Sequence, residues 1–188
     1  MVEIRITKAS PKEMKPKPAP GVELGFGRTF TDHIFLMDYQ KGEGWKNPRI
    51  EPYHPLPLDP GSLILHYGQE VFEGLKAYRW PSGEICLFRA RMNFERMNRS
   101  ARRLCMPELE VDFVLEALRQ LIRLEKDWVP TTPGASLYIR PNMIATEAAL
   151  GVQISKKFLF YIMLGPVGAY YPQGFNPVDI YVTENYIR

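Results

Sequence analysis

The chain has 188 residues, of which 45% are hydrophobic and 24% charged, and its formal net charge is +3. This composition is typical of a globular protein, and so small a charge does not indicate a nucleic-acid partner. No apolar run could span a bilayer and no secretory signal is present, so we expect no membrane partner and a cytoplasmic location. One disulfide could form between Cys86 and Cys105, but two buried thiols fit their apolar surroundings better.

The first sixty residues combine an extended arm with one strand. Residues 8–20, "KASPKEMKPKPAP", form a Lys/Pro arm, because prolines disfavour both helix and ladder pairing. The run 30–39, "FTDHIFLMDY", is rich in β-forming residues and predicts a strand. Residues 40–48 predict a turn, and the proline-rich residues 50–60 predict a loop.

A hairpin and a first helix follow. The stretch 62–80 predicts strand, and "PSG" at 81–83 predicts a hairpin turn to a strand at 84–89. Apolar residues then recur at helical spacing and predict a helix over 93–105. The buried face of this helix would comprise Phe94, Met97, Ala101 and Leu104.

A second helix is predicted over 112–128, with Asp112 as its N-cap. Its apolar stripe would comprise Val114, Leu118, Leu121 and Ile122. Strand signals return at 136–145, 157–165 and 178–184.

The domain organisation follows from a linker signal late in the chain. Residues 166–177, "PVGAYYPQGFNP", are rich in proline and glycine and separate two strand signals. We expect a small domain over 1–165 with an extended arm at 1–20, a linker at 166–177, and the first strand of a second, truncated domain at 178–188. The fold class expected is α/β of the α+β type, with two layers: a mainly antiparallel sheet carrying helices on one face.

Lys76 stands in "GQEVFEGLKAYR", a stretch that otherwise predicts a half-buried strand. Burying an ammonium group is costly unless the group is paired or neutralised. Lys76 is therefore either a lysine that bonds covalently to a carbonyl group or a strand lysine whose ammonium group reaches solvent.

Arg89 falls where a strand gives way to a helix. The free N–H groups and dipole of a helix N-terminus, with a guanidinium beside them, suit a phosphate or carboxylate. Arg89 also begins a run of arginines, and on spacing alone a solvated helix face explains it better. The low net charge and the lack of interleaved aromatics disfavour a nucleic-acid stripe here.

Tyr138 and Arg140 in "LYIRPN" are two residues apart and share one face of a strand. A tyrosine hydroxyl beside a guanidinium makes a carboxylate receptor. An ordinary cross-strand pair explains the two residues equally well. Pro141 suggests a strand end or a sheet edge, where ligands are met.

Other site chemistries find little support. The scattered histidines His33, His54 and His66 lack metal-ligand spacing, so no metal site is predicted. No Walker motif is present, and no G-x-G-x-x-G follows a strand. A triad of Asp32, His33 and Ser62 lacks a nucleophile elbow.

Six segments in order resemble the branched-chain amino acid aminotransferases, which are pyridoxal phosphate enzymes of fold type IV. They are "GFGRTFTDHIF", "LHYGQEVFEGLKAY", "CLFRARMNFERMNRSARRLCMP", "LYIRPN", "EAALGV" and "GPVGAYY". The resemblance covers nearly the whole chain. It implies a homodimeric or larger enzyme of amino-acid biosynthesis that transaminates leucine, isoleucine and valine with 2-oxoglutarate, giving 2-oxo acids and glutamate.

The resemblance also implies roles for individual residues. Arg89 would hold the phosphate of pyridoxal 5'-phosphate, and Arg140 would receive the distal carboxylate of glutamate or 2-oxoglutarate. The substrate side-chain pocket would be lined by Phe26, Phe72, Tyr138 and Tyr170. Tyr67 and the loop from Leu150 to Val152 would reach the site from a partner subunit.

The family mechanism needs a lysine that binds the cofactor covalently and moves the α-proton. In the family this lysine follows a segment like "ENYIR", with which the present sequence ends at Arg188. Lys76 does not align with it, and a strand lysine is the preferred interpretation. We expect the catalytic lysine beyond Arg188, the sequence to be the N-terminal part of the enzyme, and no activity from this part alone.

Two alternatives stay open. One is a sibling of the same fold type, a D-amino acid transaminase or an aminodeoxychorismate lyase, although "FTDHIF" and "GPVGAYY" favour the branched-chain group. The other is a non-catalytic binding domain that kept the fold, which the missing lysine motivates.

Overall fold

The computed structural model of the chain describes residues 3–168 and 176–184. A short 3₁₀ turn follows the last α-helix. In chain order the elements are β1 Arg5–Ile6, β2 His33–Gln40, β3 Gly44–Pro52, α1 Leu63–Tyr67, β4 Glu70–Phe72, β5 Leu75–Arg79, β6 Ile85–Leu87, α2 Ala90–Arg103, α3 Val111–Leu124, the 3₁₀ turn Lys126–Trp128, β7 Ser136–Ala145 and β8 Lys157–Val167.

The strands form one sheet in the order β1-β3-β2-β8-β7-β5-β6, and β4 is a further partner of β7. The short β1–β3 pair is parallel. The other pairings are antiparallel, from β2–β3 at one side to β5–β6 at the other. The predicted fold class, a mainly antiparallel sheet with helices on one face, is confirmed, and so is the hairpin at 81–83.

Helices α2 and α3 cover one face of the sheet. Their predicted apolar stripes are buried, except for Leu104, which is 43% exposed at the end of α2 and contradicts the prediction. Full burial of such a side chain contributes about 1.5–3 kcal/mol. Against these helices pack the inward-facing residues of β7 and β8, among them Leu137, Ile139, Phe160 and Ile162.

A second apolar cluster lies on the opposite face of the sheet. It is formed by Ile34, Leu36, Ile144 and Tyr161, with loop residues such as Tyr53, Leu56 and Leu58 packed against them. Because side chains alternate between faces, β7 and β8 contribute to both clusters. The loop therefore covers part of this face.

Strand β3 occupies residues for which the sequence predicted a turn and a loop. The pairing of β2 with β3 shifts register between Leu36 and Asp38, and Asn47 has a positive φ of 52°. This irregularity places Pro48 within the strand, because a bulge removes the need for a regular ladder hydrogen bond at that position. The missed strand therefore reflects a local exception to the rule against proline.

Three further expectations are wrong in detail. The predicted strand over 62–80 begins with helix α1, which ends at Gly68 in the left-handed conformation. The N-cap of α3 is Glu110 and not Asp112, since the Glu110 carboxylate accepts the first free N–H groups. Cys86 and Cys105 are both exposed, because one lies on the edge strand β6 and the other just after α2.

Pro141 lies in the middle of the sheet and not at an edge as expected. Its carbonyl accepts the N–H of Glu73 at 3.0 Å, at the point where β4 ends and β5 has not begun. Proline has no N–H to donate, and the neighbouring strand is interrupted here. The break between β4 and β5 thus accommodates a proline in a central strand.

Residues 178–184 were predicted as a strand, but they are exposed and form none. A strand needs a neighbour to pair with, and none of the described strands pairs with these residues. Residues 169–175 and 185–188 lie outside the described residues, so the domain boundaries remain predictions. Within the described ranges, no helix combines the length and apolar character needed to cross a membrane.

Candidate functional site

Tyr138 and Arg140 lie together on the sheet face opposite α2 and α3. The Nη2 atom of Arg140 donates to the Tyr138 hydroxyl at 2.9 Å. The guanidinium carbon lies 4.4 Å from the centre of the Phe72 ring and 5.4 Å from that of Tyr138. Arg140 is therefore held by aromatic rings, which attract a cation without neutralising it.

The segment between the N-terminal arm and β2 closes one side of this group. The ring of Phe26 meets that of Tyr138 edge-on, with 5.0 Å between their centres. The two residues help to enclose a cavity of about 190 Å³, whose lining is mainly apolar. Its lining includes Phe26, Phe30, Tyr138, Arg140, Met163 and Val167.

Two buried polar atoms on this face have unused hydrogen-bonding capacity. Arg140 Nε and Asn142 Oδ1 are buried and have no hydrogen-bond partner in the structure as described. The other end of the Asn142 amide donates to the Tyr161 hydroxyl at 2.9 Å, and burial raises the pKa of Tyr161. A buried donor without a partner is costly, so this face suits a ligand that carries an acceptor.

Gly74 was not singled out from the sequence, although it belongs to the quoted "FEGLK" segment. A β-carbon at position 74 would overlap the hydroxyl of Tyr138, with the ring carbon that bears it at 3.1 Å. The break between β4 and β5 places this glycine beside the tyrosine. A glycine between two strand signals was the signal that could have identified it.

Arg89 lies at the start of α2, as predicted. Its backbone is left-handed, with φ 51° and ψ 36°, and its exposed guanidinium has no hydrogen bond or ion pair among the described residues. It borders a cleft of about 910 Å³ whose rim is basic. The cations of that cleft are Arg79, Arg89, Arg91, Arg119, Arg123 and Lys126.

Several cations of this cleft are already engaged. Arg79 donates to the carbonyls of Gly83, Lys126 and Val129, while Arg91 pairs with Asp112. Arg89 has donors to spare, and it lies next to the free N–H groups of a helix start. This donor set fits a phosphate group. The structure does not bring Arg89 into the cavity beside Arg140, since the two residues line different depressions.

Tyr67, Leu150 and Val152 form a separate, exposed group. The Tyr67 hydroxyl donates to the Leu150 carbonyl, and the two apolar loop residues are 76% and 85% exposed. None of the three lines the cavity beside Arg140. Tyr170, the remaining residue predicted for the pocket, lies outside the described residues.

Lys76 is half-buried in β5 and pairs across the ladder with Tyr138. Directly opposite residues project from the same face, so Lys76 shares the face of the candidate site. Its ammonium group has no hydrogen bond or ion pair within residues 3–168 and 176–184.

No group of His, Cys, Asp or Glu side chains among the described residues could hold a metal ion.

Comparison with known proteins decides the family. Branched-chain-amino-acid transaminase 1 of Bacillus subtilis is 57% identical over 175 residues, which are 93% of this chain and 49% of that protein. Branched-chain-amino-acid aminotransferase 2 of the same organism is 51% identical over 185 residues, which are 98% of this chain and 50% of the relative. The chain belongs to the branched-chain-amino-acid aminotransferase family.

The family resemblance extends to mammals and to solved structures. The mitochondrial enzyme of Mus musculus is 45% identical over 178 residues, which cover 94% of this chain and 45% of that protein. A branched-chain amino acid aminotransferase solved with pyridoxamine 5'-phosphate superposes with a TM-score of 0.53 at 26% identity. That match covers 71% of this chain and 40% of the solved one.

The Escherichia coli branched-chain aminotransferase gives the same TM-score of 0.53 at 25% identity, over 73% of this chain and 41% of that one. No protein-family profile matches the chain. The chain spans about half the length of the curated relatives it matches.

Proposed function

We propose that the chain is part of an enzyme that transfers the amino group of leucine, isoleucine or valine to 2-oxoglutarate. The observation that carries this proposal is Arg140, a guanidinium held by aromatic rings at the edge of an apolar cavity. A transaminase of this kind must accept an apolar side chain and a carboxylate-bearing one in the same pocket. One cation within an aromatic wall suits both tasks.

The described contacts support a division of labour within the pocket. Phe26, Phe72 and Tyr138 supply apolar surface for a branched side chain. Among the described residues Arg140 hydrogen-bonds through Nη2 to Tyr138, so the guanidinium keeps further N–H groups for the distal carboxylate of 2-oxoglutarate or glutamate. Tyr138 holds the guanidinium in place through the 2.9 Å hydrogen bond. We include Tyr170 in this wall on the strength of the sequence resemblance alone.

The proposed cofactor is pyridoxal 5'-phosphate. Arg89 and the first N–H groups of α2 would hold its phosphate, since they combine a guanidinium with a helix N-terminus. When bound, the cofactor supplies the electron sink that lets an amino acid lose its α-proton. Arg89 would fix the phosphate end, and Arg140 would orient the substrate by its side chain.

A homodimer or larger homo-oligomer is part of the proposal. Tyr67, Leu150 and Val152 are exposed, and a hydrogen bond joins Tyr67 to Leu150, so they can approach a site on another subunit. Exposed apolar residues in one group are typical of an interface. We also propose a cytoplasmic enzyme in which this chain supplies the small domain and a further domain supplies the covalently bound lysine.

A substrate screen tests the proposed function. We expect the complete gene product to transaminate leucine, isoleucine and valine with 2-oxoglutarate in the presence of pyridoxal 5'-phosphate. D-alanine and aminodeoxychorismate serve as competing substrates. Turnover of D-alanine or aminodeoxychorismate in place of leucine would identify a sibling enzyme, and no turnover of any substrate would favour a binding domain.

Lys76 provides a second test, because it shares the sheet face with Tyr138. We expect borohydride reduction of the 188-residue chain with pyridoxal 5'-phosphate to label lysines weakly and at scattered positions. Peptide mapping identifies the labelled residues. Stoichiometric labelling of Lys76 alone would contradict the proposal that the covalent lysine comes from elsewhere.

A further inference from the structure

We infer that Asp32 is a positioning residue that closes residues 18–31 into a loop and thereby holds Phe26 against the candidate pocket. The inference about loop closure rests on contacts within this chain. Its consequence for substrate binding rests on the proposed function.

Asp32 lies directly before β2 and is buried, with 4% of the residue exposed. Its Oδ1 accepts the backbone N–H of Lys15 at 2.8 Å. Its Oδ2 accepts the Lys17 ammonium at 2.6 Å and the Trp128 indole N–H at 2.9 Å. The carboxylate therefore joins the arm to the sheet and to the turn that follows α3.

The lysines reinforce this junction from the arm side. The ammonium group of Lys15 donates to the carbonyls of Phe30 and Thr31, at 3.2 and 2.9 Å. The ammonium of Lys17 also lies 4.9 Å from the centre of the Trp128 ring, which favours a cation. The chain segments before and after residues 18–31 are thus joined at one point, as in a surface loop of the Ω type.

The charged surroundings keep this junction ionised. Burial opposes ionisation of Asp32, but hydrogen bonds from Lys17, Lys15 and Trp128 together hold the pKa of its carboxyl below the usual value. Glu125 faces the same place and accepts the Asp32 backbone N–H at 3.2 Å. A charge-assisted bond to a buried carboxylate contributes more than a neutral one.

The closed loop carries part of the cavity wall. Phe26 contacts the Tyr138 ring, and Gly27, Thr29 and Phe30 line the cavity beside Arg140. Backbone hydrogen bonds join both ends of this stretch to β8 and the residue after it. Thr31 N donates to the Leu164 carbonyl, and Gly168 N donates to the Leu24 carbonyl. Without the junction at Asp32, this stretch would be held only by these backbone hydrogen bonds and its aromatic contacts, so the segment that carries Phe26 would leave the surface more often.

Limited proteolysis tests the junction without reference to activity. Arg28 is exposed in the middle of the loop, and trypsin cuts after it only when the segment can leave the surface. Lys17 precedes Pro18 and is a poor trypsin site, so Lys17→Met removes the charge without removing a cut. We expect Lys17→Met to speed cleavage at Arg28 about tenfold in the complete gene product.

Three further variants separate positioning from general damage. Lys12→Met, at an exposed lysine of the same arm, also removes the cut before Glu13, so the rate at Arg28 is counted on chains whose arm is uncut; there it should be unchanged, and Lys17→Arg should restore protection. Asp32→Asn should speed cleavage at least as much as Lys17→Met. A cleavage rate at Arg28 that is the same in Lys17→Met and Lys12→Met would overturn the inference, whether or not the protein is a transaminase.

Kinetics test the consequence for the pocket. Lys17→Met should raise the KM for leucine several-fold with little change in kcat, because the wall and not the reacting centre has moved. Faster cleavage at Arg28 with an unchanged KM would support loop closure by Asp32 but would refute its role in positioning the pocket wall. Absence of transaminase activity in the unmodified protein would refute the proposed function and, with it, the positioning role. The inference about loop closure would then depend on the cleavage rates alone.

Discussion

The hydroxyl group of Tyr138 lies so close to Gly74 that no side chain fits between them. The same hydroxyl accepts a hydrogen bond from Arg140, so the glycine sets where the guanidinium is held. Pro141 explains why a glycine can stand there, because the neighbouring strand is interrupted at Glu73, beside the proline. Pro141 in β7 and Gly74 in the β4–β5 turn thus shape the same pocket.

Gly74→Ala should displace Tyr138 and weaken substrate binding. Forcing a methyl group into a packed site costs about 1–3 kcal/mol, and the displaced hydroxyl would no longer support Arg140. We expect a loss of kcat/KM for leucine and for 2-oxoglutarate. In the double variant with Tyr138→Phe, the stability penalty of the alanine should shrink, as a double-mutant cycle would show. Strictly additive penalties would refute the contact.

Glu73 anchors the β4–β5 turn to α2. Its buried carboxylate accepts from Arg96 Nε and Nη2, both at 2.6 Å, and from the Asn93 amide at 3.0 Å. Burial opposes ionisation, but the hydrogen bonds from Arg96 and Asn93 together hold the pKa of Glu73 below its usual 4.5. Because the folded protein prefers the ionised form, this stabilisation is present above pH 4.5 and is lost as the pH falls below it.

Urea unfolding as a function of pH tests this linkage. Glu73→Gln should lower stability at pH 7 and should flatten the loss of stability in acid. Glu108→Gln is the matched control, because Glu108 makes a similar two-point pair with Arg102 on the exposed surface. Solvent screens such a pair, so the control should change little. Equal effects of the two substitutions would count against a special role for Glu73.

Glu110 caps α3 in a way that the sequence rule did not identify. Its carboxylate accepts the N–H groups of Asp112 and Phe113 at 3.0 and 2.5 Å. Glu110→Ala should cost about 0.5–2 kcal/mol of unfolding free energy, the usual range for loss of a cap. Asp112→Ala removes the residue that we predicted as the cap, and it should cost less. A larger loss from Asp112→Ala would reverse the assignment.

Much of the fold could be predicted from local pattern. The strand at 136–145 and the buried stripe of α3 have regular periods, and both match the structure. Strand β3 could not be predicted, because Pro48 in its middle is tolerated only through a bulge against β2. Burial of both cysteines was predicted wrongly, because apolar neighbours in sequence do not indicate which side of a strand or helix is covered.

Of the candidate site too, only the part that depends on local spacing could be predicted from the sequence. Two-residue spacing placed Tyr138 and Arg140 on one face, and the structure agrees. The contributions of Gly74 and Asp32 depend on contacts between residues far apart in sequence, which no local pattern contains. The roles of Arg89 and Tyr67 came from the family resemblance, and they remain predictions.

An Arg140→Ala variant of the complete gene product tests the proposed carboxylate receptor through two specificity constants, one for leucine and one for 2-oxoglutarate. Each kcat/KM reports the step that consumes its own substrate. In the proposed function only 2-oxoglutarate needs the guanidinium, and a hydrogen bond to a charged group contributes about 1.5–3 kcal/mol. We expect kcat/KM for 2-oxoglutarate to fall roughly tenfold or more below that for leucine, relative to the unmodified enzyme. Equal losses for the two substrates would contradict the proposed role of Arg140 as the carboxylate receptor.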